Sequence, residues 1–218
     1  MNYHGGHSIT SLEEQRESLF RRLRRRGISE TVIDAMRRVK REDFIPTQWR
    51  DYAYCDEPLP IGSEQTISAP HMVAMMCDLL DVLPGASVLE VGTGSGYHAA
   101  VLAELVAHGT IYSIERHKQL AREARKRLPA NVAVIVGDGS LGYPEEAPYD
   151  RILVTCAAPD IPPPLLTQLR AGGKIVIPLG KGFQKLYVAC KNDEIRRESH
   201  GSVAFVLLVG AYGFHERK

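Results

Sequence analysis

The sequence has little that would tie it to a membrane, an oxidising compartment or a nucleic acid. Its four cysteines (Cys55, Cys77, Cys156 and Cys190) are scattered and form neither a C-x-x-C pair nor a zinc-ligand spacing. No disulfide framework and no metal are therefore expected. Three of the cysteines lie in apolar surroundings and read as buried free thiols. No apolar run approaches the roughly 18 residues that a spanning helix needs. The N-terminus carries no apolar stretch of the signal-peptide kind. A formal net charge of +1 gives no bulk attraction to nucleic acid or to an anionic membrane. These absences leave a cytoplasmic protein, expected as a monomer, with no metal, no membrane and no nucleic-acid partner.

What is there suits one sizeable α/β domain with a small addition: 218 residues, 44% apolar and 24% charged. Residues 1–10 show no period and read as a mobile tail. Ser11-Leu-Glu-Glu14 has the spacing of a capping box and opens a helix that stops at Gly27. Five arginines between Arg21 and Arg26 read as a solvated helix end, where cations complement the dipole. A second helix covers Ser29–Val39. Residues 47–69 read as largely irregular, first aromatic (Trp49, Tyr52, Tyr54), then broken by Pro58, Pro60 and Gly62. Residues 11–69 thus form a helical region with a loop, and 70–218 form the main domain, the two making one structural unit.

From Pro70 a helix is expected to Leu83, ended by Pro84-Gly85. Strands and helices then alternate, the pattern of a doubly wound parallel sheet. Strands are expected at Ser87–Val91, Thr110–Glu115, Val132–Val136, Arg151–Cys156, Lys174–Pro178, Leu186–Lys191 and Ser202–Val209. Helices are expected at Gly96–His108, His117–Arg127 and Pro164–Arg170. Glycines and charges between the last three strands predict hairpins and an antiparallel edge.

The most informative stretch is Val88-Leu-Glu-Val-Gly-Thr-Gly-Ser-Gly-Tyr97. It reads as a strand, a tight glycine loop and a helix start, with free N–H groups aimed at a ligand. The spacing of Gly92, Gly94 and Gly96 is G-x-G-x-G, not the G-x-G-x-x-G of dinucleotide sites. Glu90, just before the loop, would disfavour a pyrophosphate and suit a cation. S-adenosyl-L-methionine has a sulfonium, an amine and no phosphate, and the loop Gly92-Thr93-Gly94-Ser95-Gly96 resembles the first motif of Rossmann-like methyltransferases. The fold expected is therefore α/β, a Rossmann-like doubly wound sheet of about seven strands (class I methyltransferase type) with an N-terminal helical extension. Ligands in such sheets bind beyond the carboxyl ends of the strands. The second strand ends in Glu115, an acid placed to accept both hydroxyls of a ribose. The third ends in Gly137-Asp138-Gly139, where a carboxylate can accept from an adenine amino group. After the fourth strand, Ala157–Pro164 would roof the reaction centre. It lacks the Asn/Asp-Pro-Pro-aromatic grip of amino-directed methyltransferases and offers no general base. A carboxylate nucleophile needs none, only alignment and partial desolvation.

Pro58-Leu-Pro-Ile-Gly62, Gln65-Thr-Ile-Ser-Ala-Pro-His71, the glycine loop, Val136-Gly-Asp-Gly139, Glu145-Glu-Ala-Pro-Tyr-Asp150 and Ala204-Phe-Val-Leu-Leu208 together resemble the protein-L-isoaspartate O-methyltransferase family. The resemblance runs from about Ser11 to Gly210. It implies methyl transfer from S-adenosyl-L-methionine to the free carboxylate of L-isoaspartyl residues in damaged proteins, whose ester collapses through a succinimide to aspartyl. It implies Ser68 as the active-site serine. It places Gln65, Thr66, Ile67, Ser68, the Gly92–Gly96 loop, Glu115, Arg116, Asp138 and Gly139 around the cofactor. It puts Ser68, Ala69, Val206 and Leu207 against the substrate, the last two as backbone that pairs with the peptide. Ser68, two residues before Pro70, also reads as a helix N-cap whose free N–H groups would suit a carboxylate. His71 reads as a helix-surface or pocket-wall residue. The sequence departs from the family pattern at Glu64, where a glycine is usual, and at Leu207, where a proline is usual. A methyltransferase for RNA or a small molecule, and a binding module without turnover, are the alternatives. The Q-T-I-S segment argues against the first, and intact Ser68, Glu115 and Asp138 against the second.

Overall fold

The structure, a computed structural model, describes residues 11–215; the expected tail at 1–10 lies outside the described residues. Helix α1 (Leu12–Arg25) starts on the expected capping box: Glu14 N–H donates to the Ser11 hydroxyl at 3.2 Å and Ser11 N–H to the Glu14 carboxylate at 2.8 Å. Helix α2 (Glu30–Arg38) is capped in turn by Ser29. At the arginine-rich end of α1, Arg24 pairs with Glu30 at 2.6 Å and Arg26 with Asp56 at 3.3 Å. These charges serve the helix junction.

Residues 47–69 are more ordered than their composition predicts. A 3-10 turn covers Thr47–Tyr52, and strands β1 (Leu59–Gly62) and β2 (Gln65–Ile67) form a separate antiparallel hairpin. Its turn places Ser63 at φ 51° and Glu64 at φ 56°. A type I′ hairpin turn needs left-handed backbone at both central residues, usually Asn or Gly. Ser-Glu gives no such signal. Helix α3 (Pro70–Leu80) has proline in its first turn and Ala69 as N-cap, with no side-chain cap. Ser68 is therefore one residue outside the cap position expected for it. Asp81, left-handed at φ 53°, stops the helix three residues before Pro84.

The remaining elements are β3 (Ser87–Val91), α4 (Tyr97–Val106), β4 (Thr110–Glu115), α5 (Lys118–Arg125), β5 (Val132–Val136), β6 (Tyr149–Val154), α6 (Pro163–Gln168), β7 (Leu169–Leu179), β8 (Gln184–Lys191) and β9 (Ile195–Val203). They build a seven-stranded sheet of order β5-β4-β3-β6-β7-β8-β9. Strands β5 to β7 in that order are parallel, and β8 and β9 are antiparallel. The antiparallel edge agrees with the sequence reading, but its last strand does not. The strand is Ile195–Val203, exposed and charged, whereas 204–209 leave the sheet and make only isolated bridges at Leu207 and Val209. An edge strand buries little, so charge there carries no penalty and blunts self-association. The apolar Phe205–Leu208 run is instead used to cross the sheet's carboxyl edge.

One buried cluster joins Leu19, Leu23, Ile33 and Met36 of α1 and α2 to α3, α4 and the Val88 and Leu153 face of the sheet. A second, on the opposite face, packs Leu89, Val91, Ile152 and Ile175 against Leu165 of α6. The N-terminal helices thus share the sheet's own core. The order reverses at β3, whose neighbours are β4 and β6, and a crevice opens at such a switch point. Cys77 and Cys156 are buried, while Cys55 and Cys190 are half-buried, so two of the free thiols are interior instead of the expected three. Among the described residues no helix is long and apolar enough to cross a membrane.

Candidate active site

A cavity of about 360 Å³ lies over the carboxyl ends of β3, β4 and β6. Its wall includes Gln65, Thr66, Ile67, Ser68, Gly92, Thr93, Gly94, Ser95, Glu115, Arg116, Gly139, Val206 and Leu207. Of the expected residues, Ala69, Glu90, Gly96 and Asp138 are outside that wall.

The loop that carries the three glycines is left-handed at each: φ is 100° at Gly92, 54° at Gly94 and 90° at Gly96. At Gly92 a Cβ would also overlap the Thr155 hydroxyl, which donates to the Gly92 carbonyl at 2.7 Å. The loop's N–H groups are largely spent within the protein. Ile114 carbonyl accepts from Gly92 and Thr93, Thr93 carbonyl accepts from Gly96, and Glu115 accepts from Gly94 at 2.8 Å. The expected row of free donors is therefore absent from the loop. A pyrophosphate would find little to bind there, whereas a ligand without phosphate loses nothing.

Glu115 is only 5% exposed, and each carboxylate oxygen holds one backbone N–H, that of Gly94 or that of His117 at 2.9 Å. A carboxylate has about four acceptor positions, so two remain for ligand hydroxyls. Glu90 behaves otherwise. It shares a strand face with Val88 and points into the core beneath the loop, fully buried. One oxygen accepts from Ser113, which is bonded to Thr93 at 2.6 Å, and the other has no partner among the described residues. Burial pushes its pKa up to about 8, against the pull of the Ser113 hydroxyl. At neutral pH it is mostly a neutral acid. The expected role as a counter-charge to a cation is not what its position offers.

Asp138 lies behind Gly139 with its oxygens engaged. One accepts from Ser140 N–H at 2.9 Å and Ser140 hydroxyl at 2.7 Å, the other from Ala211 N–H at 2.7 Å. Burial alone would raise its pKa, but these bonds outweigh it and hold the carboxyl below its ordinary value. Its main visible task is to tie the C-terminal segment to the end of β5.

Ser68 lines the cavity half-buried, and its hydroxyl has no hydrogen bond among the described residues. The first N–H groups of α3 are not free as expected: His71 N–H goes to Asp56 at 2.8 Å, and Met72 and Val73 N–H to the Ala69 carbonyl. His71 Nδ1 also meets Asp56 at 2.9 Å, which anchors this side chain outside the cavity wall.

Several wall residues belong to no motif of their own. His117, the N-cap of α5, has a buried Nε2 with no partner among the described residues. Thr155 and Cys156 end β6. His98 contacts Cys77 at 3.3 Å and is held neutral by burial, with a pKa of about 3. Burial also pushes the Cys156 thiol well above its ordinary range. Each sits just past a motif residue, so chain order alone would have nominated His117 and Thr155.

The model of the Protein-L-isoaspartate(D-aspartate) O-methyltransferase family matches residues 14–213. The chain belongs to this family. It is 57% identical over 197 residues to the protein-L-isoaspartate O-methyltransferase of Methanothrix thermoacetophila, covering 88% of this chain and 94% of that one. A counterpart from Archaeoglobus fulgidus is 55% identical over 208 residues, with 93% and 96% covered. A solved protein-L-isoaspartate O-methyltransferase superposes with a TM-score of 0.83 at 30% identity, over 91% of this chain and 67% of that one. A Plasmodium falciparum structure described as a beta-aspartate methyltransferase in complex with S-adenosyl-L-homocysteine gives 0.79 at 28% identity, over 89% and 98%. The chain's cofactor is accordingly S-adenosyl-L-methionine, and its reaction methylates the free carboxylate of isoaspartyl residues in proteins and peptides. The wall fits that cofactor: a volume within the range of small-molecule sites, a ribose-competent carboxylate at Glu115, an orphaned His117 nitrogen and a loop that does not seek phosphate.

Proposed function

We propose that Ser68 anchors the isoaspartyl carboxylate, its hydroxyl donating to one carboxylate oxygen. The observation that carries this is the Ser68 hydroxyl itself: Ser68 lines the same cavity as the glycine loop, and its hydroxyl has no hydrogen-bond partner among the described residues. With the α3 amides committed to Asp56 and Ala69, the hydroxyl and the N–H groups of Ser68 and Ala69 are the donors left at this corner. Neutral donors hold a carboxylate without quenching it as an ion-paired arginine would. Bound S-adenosyl-L-methionine supplies an electrophilic methyl group. No wall residue has to remove a proton from the acceptor, and His98, with its pKa near 3, stays neutral at working pH. The raised pKa of Cys156 keeps a competing thiolate out of the site.

In the same reading Gln65–Ser68, the Gly92–Gly96 loop, Glu115, Arg116 and Gly139 surround the cofactor, Asp138 reaches the adenine edge through its remaining acceptor position, and Val206–Leu207 meets the peptide. Glu90 supports the loop from below. Segments 11–69 and 70–218 act as one unit. Four free cysteines support a reducing cytoplasm, and two arginines at the end of α1, Arg24 and Arg26, are paired with Glu30 and Asp56.

Ser68→Ala is expected to lower kcat/KM for an isoaspartyl peptide about tenfold, the worth of one hydrogen bond to a charged group. The cofactor Kd, by calorimetry, should stay put. Label transfer from S-adenosyl-L-methionine to isoaspartyl peptide, with a matched aspartyl peptide as control, reads the effect. Wild-type rates in the variant would remove Ser68 from the site.

A further inference from the structure

We propose that Gln184 is a positioning residue for the substrate peptide: it holds Phe205 so that Leu207 presents an open main-chain rung to the incoming chain. This rests on the reading of the cavity given above.

Strand β8 begins at Gln184, whose partner in β9 is Val203, the last residue of that strand. Past Val203 the chain leaves the sheet and runs along the cavity as residues 206–209. Gln184 follows it with its side chain. Its Nε2 donates to the Phe205 carbonyl at 2.9 Å and its Oε1 accepts from Phe205 N–H at 2.6 Å. A buried amide, 7% exposed, thus satisfies both main-chain groups of one residue, as a neighbouring strand would.

The opposite side of the segment is held by Ala157. Its N–H donates to the Val206 carbonyl at 2.8 Å, and its carbonyl accepts from Leu208 N–H at 2.8 Å. In extended chain, successive residues direct their main-chain groups to alternate sides. Val206 and Leu208 face Ala157, so Phe205 and Leu207 face away from it. The Phe205 groups are taken by Gln184. The Leu207 N–H and carbonyl have no partner among the described residues, and Leu207 lines the cavity.

Two consequences follow for an extended peptide that pairs by main chain. Gln184 occupies the rung before Leu207, so the peptide has one register available. Leu207 also brings an N–H that a proline at that position would lack, giving the rung both a donor and an acceptor.

The test is steady-state methylation of an isoaspartyl peptide by the wild type, Gln184→Ala, Leu207→Pro and the double variant, with the cofactor Kd and Tm of each. Gln184→Ala should raise the peptide KM about fivefold to tenfold, the loss of a hydrogen-bonded rung, with kcat and cofactor Kd unchanged. Leu207→Pro should raise KM as well, and it tests the rung without disturbing Gln184. The double variant should be no worse than the larger single effect, because both act on one rung. An unchanged KM in Gln184→Ala overturns the proposal. So does a fall in kcat and cofactor binding that tracks a fall in Tm, or full additivity in the double variant. A wild type that binds the cofactor and does not methylate the peptide overturns the underlying reading as well, so the two failures are distinct.

Discussion

Glu115→Ala is expected to weaken S-adenosyl-L-methionine binding by roughly a hundredfold or more. The magnitude comes from two sources. Hydrogen bonds to a buried charged acceptor contribute about 1.5–3 kcal/mol each, and a ribose offers two hydroxyls. The same carboxylate holds Gly94 N–H at 2.8 Å and His117 N–H at 2.9 Å. Its loss therefore frees the glycine loop and the N-cap of α5 together. Glu115→Gln separates these contributions, since an amide keeps one acceptor and offers a donor where the other oxygen was. Its loss should be intermediate, on the order of tenfold. Calorimetric titration with S-adenosyl-L-methionine and S-adenosyl-L-homocysteine measures both variants. The two ligands share the ribose, so they should lose affinity in parallel. A Kd within about threefold of wild type for Glu115→Ala, a change worth under 1 kcal/mol, would mean that the ribose is held elsewhere. Melting of the ligand-free proteins shows whether the fold itself is affected.

Glu115 is legible in the sequence because its position follows from chain order: an acid ending the strand after the glycine loop has one place to be in a doubly wound sheet. The glycines are legible for a steric reason, since Gly92 has both a left-handed φ of 100° and the Thr155 hydroxyl where a Cβ would stand. Glu90 shows where such reading stops. Period-two alternation puts it on the side of Val88 and away from Leu89 and Val91. In a parallel strand buried on both faces, though, the pattern does not say which side the ligand takes. Ser68 is displaced from the cap by a single residue, and that depends on the local φ/ψ of Ala69. The β1–β2 hairpin is hidden because Ser63 and Glu64 adopt a backbone that their residue types rarely choose. Tertiary packing around the cavity outweighs local preference there. The charged strand β9 and the apolar segment after it invert the usual sign of the hydrophobic signal, since the edge strand is exposed and the loop is used to build the site.

Glu90→Gln is expected to change the pH dependence of stability more than any other single substitution in the site. The folded-state pKa of Glu90 is about 8, raised by burial from an ordinary value of 4.5. Between those values the folded protein keeps a proton that the unfolded chain has released. Unfolding then releases the proton, so stability falls as pH rises through this window. Below it both states are protonated and nothing is lost; above it the penalty is complete, on the order of 4–5 kcal/mol for a shift of this size. Gln has the shape of the protonated acid and still accepts from Ser113, so the Thr93–Ser113 link beneath the loop survives. It does not ionise. The variant and the wild type should therefore melt together near pH 4.5 and diverge steadily above it, with the variant more stable by roughly 10 °C near pH 9. His98, with its pKa near 3, titrates alike in both proteins and cancels in the difference. The decisive plot is the difference in Tm against pH, taken without cofactor. A flat difference would show that Glu90 ionises freely in the folded protein and that its carboxylate is not sealed beneath the loop.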